Sequence, residues 1–187
     1  MADLVILLAQ QTLPRMDSMY WIMLVSRILH ILGAIILVGG LFYIRTVVTP
    51  AVPQVDAATP EQLFGGRRAA WAMWVGIASL LLLGTGLWNY IQVMKTHERL
   101  ASSYHMMAGI KMLTGLALFV LAAILAGRSA AAETLRRNWR LWLNVCLLLG
   151  ILTAVLGSFL RTYPRTPKLD APGAPELIAP ANTAPVG

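Results

Sequence analysis

Long apolar runs separated by short polar breaks dominate this chain. Positions 28–44, 69–94, 112–127 and 141–160 carry no Asp, Glu, Lys or Arg, and a helix crossing the hydrocarbon core of a bilayer needs about 20 mostly apolar residues. Four membrane-spanning helices are predicted, at 19–43, 69–91, 103–127 and 139–160. The first and third runs reach full length when Arg27 and Lys111 are counted inside them, their long stems able to snorkel toward the interface. Trp21, Tyr43, Trp71, Trp88, Tyr90, Tyr104, Trp139 and Trp142 fall near the proposed ends. Aromatic belts have that placement, because their rings are apolar while their N–H or O–H prefers water.

The first break, 45–68, contains Pro50, Pro53, Pro60 and the Gly65-Gly66 pair. It reads as a structured loop and not as a helix continuing out of the membrane. The other two breaks are about a dozen residues each, and links that short favour antiparallel neighbours. The predicted fold is an all-α integral membrane protein, an antiparallel up-down four-helix transmembrane bundle spanning 19–161. Residues 1–18 precede it as a lead or interfacial segment without a basic n-region. Residues 162–187 follow as a Pro/Ala-rich tail too poor in large apolar residues to fold alone, so disorder is expected there. In the fourth helix Gly150, Ala154 and Ser158 recur every four residues. Such a stripe lets another helix approach closely, either within the bundle or as the seam of a homodimer or membrane complex.

Composition agrees with the pattern: 58% of the residues are hydrophobic and 12% charged. A net charge of +7 would suggest nucleic acid in a soluble protein. Here the basic residues flank the spans, where they meet lipid headgroups, so no nucleic-acid partner is expected. The two faces carry equal numbers of cations, which leaves the orientation open. Cys146 stands alone in the middle of the fourth span, which rules out an intrachain disulfide or a CxxC metal site. It reads as a small buried apolar residue.

Chemistry must come from the few polar groups left inside the spans. The eight acids, Asp3, Asp17, Asp56, Glu61, Glu98, Glu133, Asp170 and Glu176, all lie outside them, so a cation buried within has no carboxylate partner. Spans one and three start from the same face, which puts Arg27, His30, His105 and Lys111 in one leaflet. The Gly84-Thr85-Gly86 segment ends span two there. An ionised side chain in hydrocarbon costs at least a few kcal/mol unless water, snorkelling or a bound anion compensates it. A b-type haem would supply both missing partners, since its iron takes imidazole or thioether and its propionates take cations. His30 and His105 are candidate iron ligands, Met107 and Met112 weaker ones, and Arg27 and Lys111 candidate propionate partners. On a helix, Arg27 and His30 share a face, backed by Gly33 and Ala34. His105, Gly109 and Met112 share one face of the third helix, whereas Met107 and Lys111 share another.

Plainer readings stand beside this one. Histidines near helix ends serve as interfacial residues, Arg27 and Lys111 as anchors, and His97 as a solvated loop residue. Nine methionines invite a copper(I) reading, although methionine is also ordinary core filling. Ser79, Asn144 and Thr153 are the other mid-span groups able to line a polar path. A nucleotide-binding glycine loop, HExxH and a plausible Ser-His-Asp set are missing, which argues against an ATPase or hydrolase.

Several strings together resemble a known group. His30-Ile-Leu-Gly-Ala, Val38-Gly-Gly-Leu-Phe-Tyr43, Arg67-Arg68, Thr85-Gly86 and Lys111 are similar to the membrane domain of copper-resistance D (CopD-like) proteins. They are similar too to the related four-helix protoporphyrinogen IX oxidases of the HemJ type. The resemblance covers roughly residues 20–160. It implies either b-type haem at His30 with Lys111 nearby and oxidation of a porphyrinogen, or copper handling at the cytoplasmic membrane. The chain departs from the oxidase pattern at Ile44-Arg45-Thr46, where that pattern has leucine-proline-arginine, and its first loop lacks the histidine found there. The leading expectation is a multi-pass protein of the cytoplasmic membrane that holds haem b for electron transfer or for oxidation of a hydrophobic molecule such as a quinol or porphyrin. Copper transport or resistance, and a cofactor-free accessory subunit, are the alternatives.

Overall fold

The computed structural model describes residues 18–51, 67–97 and 102–164. The proposed lead and almost all of the proposed tail lie outside the described residues. Four long helices carry the structure: α1 (Ser18–Ala51), α2 (Arg68–Thr96), α3 (Ser102–Ala126) and, after the short α4 (Ala130–Arg136), α5 (Trp139–Thr162). All four long helices are long and apolar enough to cross a membrane. The outward faces fit that environment: Leu80, Leu113 and Leu148 are 72%, 69% and 66% exposed. In water, such a surface would aggregate; in lipid it costs nothing. The chain is a multi-pass membrane protein built as a four-helix bundle.

The helices form a ring in which α1 packs on α2, α2 on α3, α3 on α5, and α5 back on α1. Along every seam, rising numbers on one helix meet falling numbers on the next. Ser26 meets Asn89, His30 meets Thr85, and Gly40 meets Trp71 between α1 and α2. Tyr90 meets His105, and Arg68 meets Ala126, between α2 and α3. Thr114 meets Thr153, and Lys111 meets Gly157, between α3 and α5. Arg45 meets Asn144, and Val38 meets Gly150, where α5 closes on α1.

Two features differ from the sequence expectation. First, α1 does not stop near Tyr43 but continues to Ala51, through Pro50. A proline normally removes one helical hydrogen bond and clashes with the carbonyl four residues back. Here Ile44–Val48 forms a wide π-helical turn just before it, and the Thr49 amide and hydroxyl both bond to the Ile44 carbonyl. The register has already shifted where Pro50 arrives, so the helix absorbs it. A second π turn, Ile35–Gly39, precedes Gly40, whose missing side chain makes room for the Trp71 ring. Second, the stripe at Gly150, Ala154 and Ser158 does not pack as one surface within the bundle. Gly150 is buried against Val38, while Ala154 and Ser158 are exposed. A four-residue repeat drifts about 40° per step on a helix of 3.6 residues per turn, so the stripe walks off the seam after its first member.

The main apolar core lies in the half of the bundle containing the end of α1 and the start of α5. Leu37, Leu41, Val75, Ala78, Leu118, Ala122, Leu143 and Cys146 are buried there. Arg68 is buried at the same end. Its guanidinium donates to the Ala126 and Gly127 carbonyls, closing the last turn of α3. A cation placed on a helix C-terminus answers both the unpaired carbonyls and the negative end of the dipole. Ser129 caps α4 by accepting from the Ala132 amide.

Candidate functional site

The inward stripe of α1 runs Ser26, His30, Gly33, Leu37, Leu41, and that of α3 runs Tyr104, Ala108, Lys111, Gly115, Leu118. His30 and Lys111 therefore occupy core positions, each half-buried. The seam contacts also fix their depth. Pairing Tyr90 with His105, and Arg68 with Ala126, puts Thr85 level with residue 110; Thr85 in turn holds His30. Lys111 lies one residue from that level, against Gly157 of α5. One layer thus contains His30, Thr85, Lys111 and Gly157, contributed by all four long helices.

The hydrogen bonds define which nitrogen of His30 is available. Thr85 Oγ1 donates its single proton to the Leu81 carbonyl one turn back. His30 Nδ1 lies 2.8 Å from the same oxygen. That oxygen has only lone pairs left to offer, so Nδ1 carries the proton and donates it. In the neutral ring Nε2 is then the bare lone pair, the form of imidazole that takes a metal. Gly86 makes the ring's position possible, since a Cβ there would sit 3.2 Å from His30 Cε1. Gly157 leaves room beside Lys111, whose Cε and Nζ would lie 3.3 and 3.5 Å from an added Cβ. No hydrogen-bonding or ionic partner is found for the ammonium among the described residues.

The other sequence candidates are placed differently. His105 shares a hydrogen bond with the Tyr90 hydroxyl at 3.1 Å and stacks edge-on with Tyr90 and Tyr104. Thr85 and Tyr90 are five residues apart on α2, about 140° around the helix, so the two histidines reach α2 on different flanks. Met107 packs beside Tyr104, Ala108 and Leu160 in a small cluster near the helix ends. Arg27 and Met112 are on exposed positions. His97 bonds to Thr96 and to the Val93 carbonyl beyond the layer. Among the described residues no group of three or more His, Cys, Asp or Glu side chains is poised around one point.

Sequence reasoning missed Thr85 as the partner that orients His30, and Gly157 as the neighbour of Lys111. The spacing carries a signal for Thr85 alone: it stands between two glycines, and a polar residue there is noticeable in a span. The three mid-span groups considered for a polar path face separate places. Asn144 accepts from Arg45, Thr153 donates to Thr114, and the Ser79 hydroxyl is buried without a partner among the described residues. They do not line one route. On the lipid side of the α1–α2 seam lies a groove of about 440 Å³, lined by Trp21, Val25, Leu29, Gly84, Thr85 and Trp88 among others.

No protein-family model, curated protein or solved structure matches this chain.

Proposed function

We propose that this protein is a membrane oxidoreductase of CopD-like type, holding b-type haem in the leaflet of His30. The observation that carries the reading is the shared layer of His30 and Lys111. One presents an imidazole whose Nδ1–H is already committed to Thr85. The other is an ammonium without an acid in any of the four spans. These residues support the reading: Nε2 of His30 would hold the iron, and Lys111 would answer a propionate. When bound, haem would supply one-electron chemistry. The chain's part is to orient the ligand through Thr85, to offer a positive charge where hydrocarbon would otherwise disfavour an anion, and to keep the layer dry between apolar helix faces. A hydrophobic reductant or substrate of the quinol or porphyrin class would reach it from the bilayer.

The test is an absorption spectrum of the detergent-purified protein, oxidised and then dithionite-reduced, with copper quantified on the same sample. The expected result is a Soret band that shifts on reduction. His30→Ala should lose most of the haem, whereas His97→Ala should retain it. Equal retention in the two variants would remove His30 from the site. Stoichiometric copper without a chromophore would replace the haem reading with the copper one.

A further inference from the structure

At the opposite end of the bundle from His30, the described side chains include Arg45, Arg67, Arg68, Arg128, Arg137 and Arg140, with Glu133 the one carboxylate among them. Arg68 is committed to the α3 carbonyls. Arg45 is held differently, among the described residues by one hydrogen bond across the α1–α5 seam: its Nε donates to Asn144 Oδ1 at 2.7 Å. That bond fixes the plane of the guanidinium and leaves both terminal nitrogens to another acceptor. Arg140 stands four residues before Asn144, on the same face of α5 and one turn nearer the membrane surface. It is exposed and has no partner among the described residues. Two forked cations therefore flank one seam, one of them already oriented.

We propose that this seam binds the phosphate of an anionic phospholipid between Arg45 and Arg140. Charge complementarity selects the ligand, because guanidinium forks match phosphate oxygens in pairs. Depth selects its source. Arg45 and Asn144 lie about 8 Å inside the ends of α1 and α5 at 1.5 Å per residue, the level where headgroups meet hydrocarbon. Tyr43 and Trp142 lie on neighbouring turns. One turn deeper, Phe42 is 58% and Leu148 66% exposed, an apolar surface for the acyl chains of a lipid and of no use to a free phosphate ion.

The full chain in detergent should show a rise in its thermal unfolding midpoint, saturable with added dioleoyl phosphatidylglycerol at constant ionic strength. Phosphatidylcholine should raise it far less, and inorganic phosphate not at all. Arg140→Gln should leave the lipid-free midpoint unchanged and weaken the phosphatidylglycerol effect roughly fivefold, the loss expected for one basic residue at a charged membrane surface. Arg45→Gln combined with Arg140→Gln should weaken it further, while Arg67→Gln, an exposed arginine at the same end, should behave as wild type. An equal loss in Arg67→Gln would mean diffuse attraction and overturn the site. Full stabilisation by inorganic phosphate would overturn the lipid as occupant, and so would equal effects of the two phospholipids.

Discussion

Replacing Thr85 by valine tests the logic of the His30 layer with the smallest change of shape. Valine keeps the branched volume and removes the hydroxyl, so the helix and the α1–α2 seam should persist. Thr85 loses its bond to the Leu81 carbonyl, which matters little because a helical carbonyl retains its backbone partner. His30 loses the acceptor 2.8 Å from Nδ1. A hydrogen bond of this kind contributes about 0.5–1.5 kcal/mol net, so the variant without cofactor should unfold at slightly lower temperature. Under the proposed haem reading the larger effect would fall on ligand orientation, since losing the partner that fixes a ligating histidine typically costs about 10- to 100-fold in affinity. Haem titration of the cofactor-depleted protein, followed at the Soret band, measures this directly. Thr85→Ser, which restores the hydroxyl, should recover most of the affinity. Wild-type haem affinity in Thr85→Val would refute the claim that this hydroxyl sets the tautomer and pose of His30.

Two further substitutions, each with a neighbouring control, probe the packing of the other half of the bundle. Gly40→Ala would put a Cβ 2.5 and 2.7 Å from carbons of the Trp71 ring; a rigid ring on a neighbouring helix cannot yield cheaply, and a loss of about 1–3 kcal/mol is expected in reversible unfolding. Gly39→Ala points into open space and should be near neutral, so equal effects at the two glycines would contradict the assigned register. Arg68→Gln should cost about 3 kcal/mol by leaving the Ala126 and Gly127 carbonyls without their charged donor, whereas Arg67→Gln next to it should change thermal stability little.

Hydropathy alone located the four helices, because lipid imposes a length and a composition that no other environment demands. It failed at Pro50, since a proline reads as a stop unless the preceding turn has shifted its hydrogen bonds, and a π turn leaves no simple mark in a sequence. Of the Gly150 stripe only the first member packs within the bundle, because a four-residue repeat drifts around the helix. His30 and Lys111 were legible as anomalies because charge and imidazole are rare in spans. Their common level was legible only as a shared leaflet. Register between helices depends on contacts such as Tyr90 with His105, and on the glycines that let Trp71 and Lys111 pass, which a single chain cannot announce. Arg68 is the converse case. It looked like a topology signal, and the fold uses it to close another helix.

The position of the layer bears on what it can do. Leu82 and Gly33 mark the edge of the main apolar core on one side, and Tyr104, Ala108 and Leu160 form a separate small cluster on the other. His30, Thr85 and Lys111 occupy the interval where apolar packing is interrupted. Stability is concentrated in the half of the bundle that holds Leu37, Leu143 and Cys146, so the half containing the layer has fewer contacts to lose when side chains rearrange around a bound group. A polar layer in the centre of the main core would have to sacrifice its tightest packing to accept a ligand. Between two clusters it needs only the movement of groups already backed by glycine, at Gly86 and Gly157. A half-buried lysine there carries a desolvation cost and has no acid within the four spans; under the haem reading proposed above, the propionate would bring the anion with it.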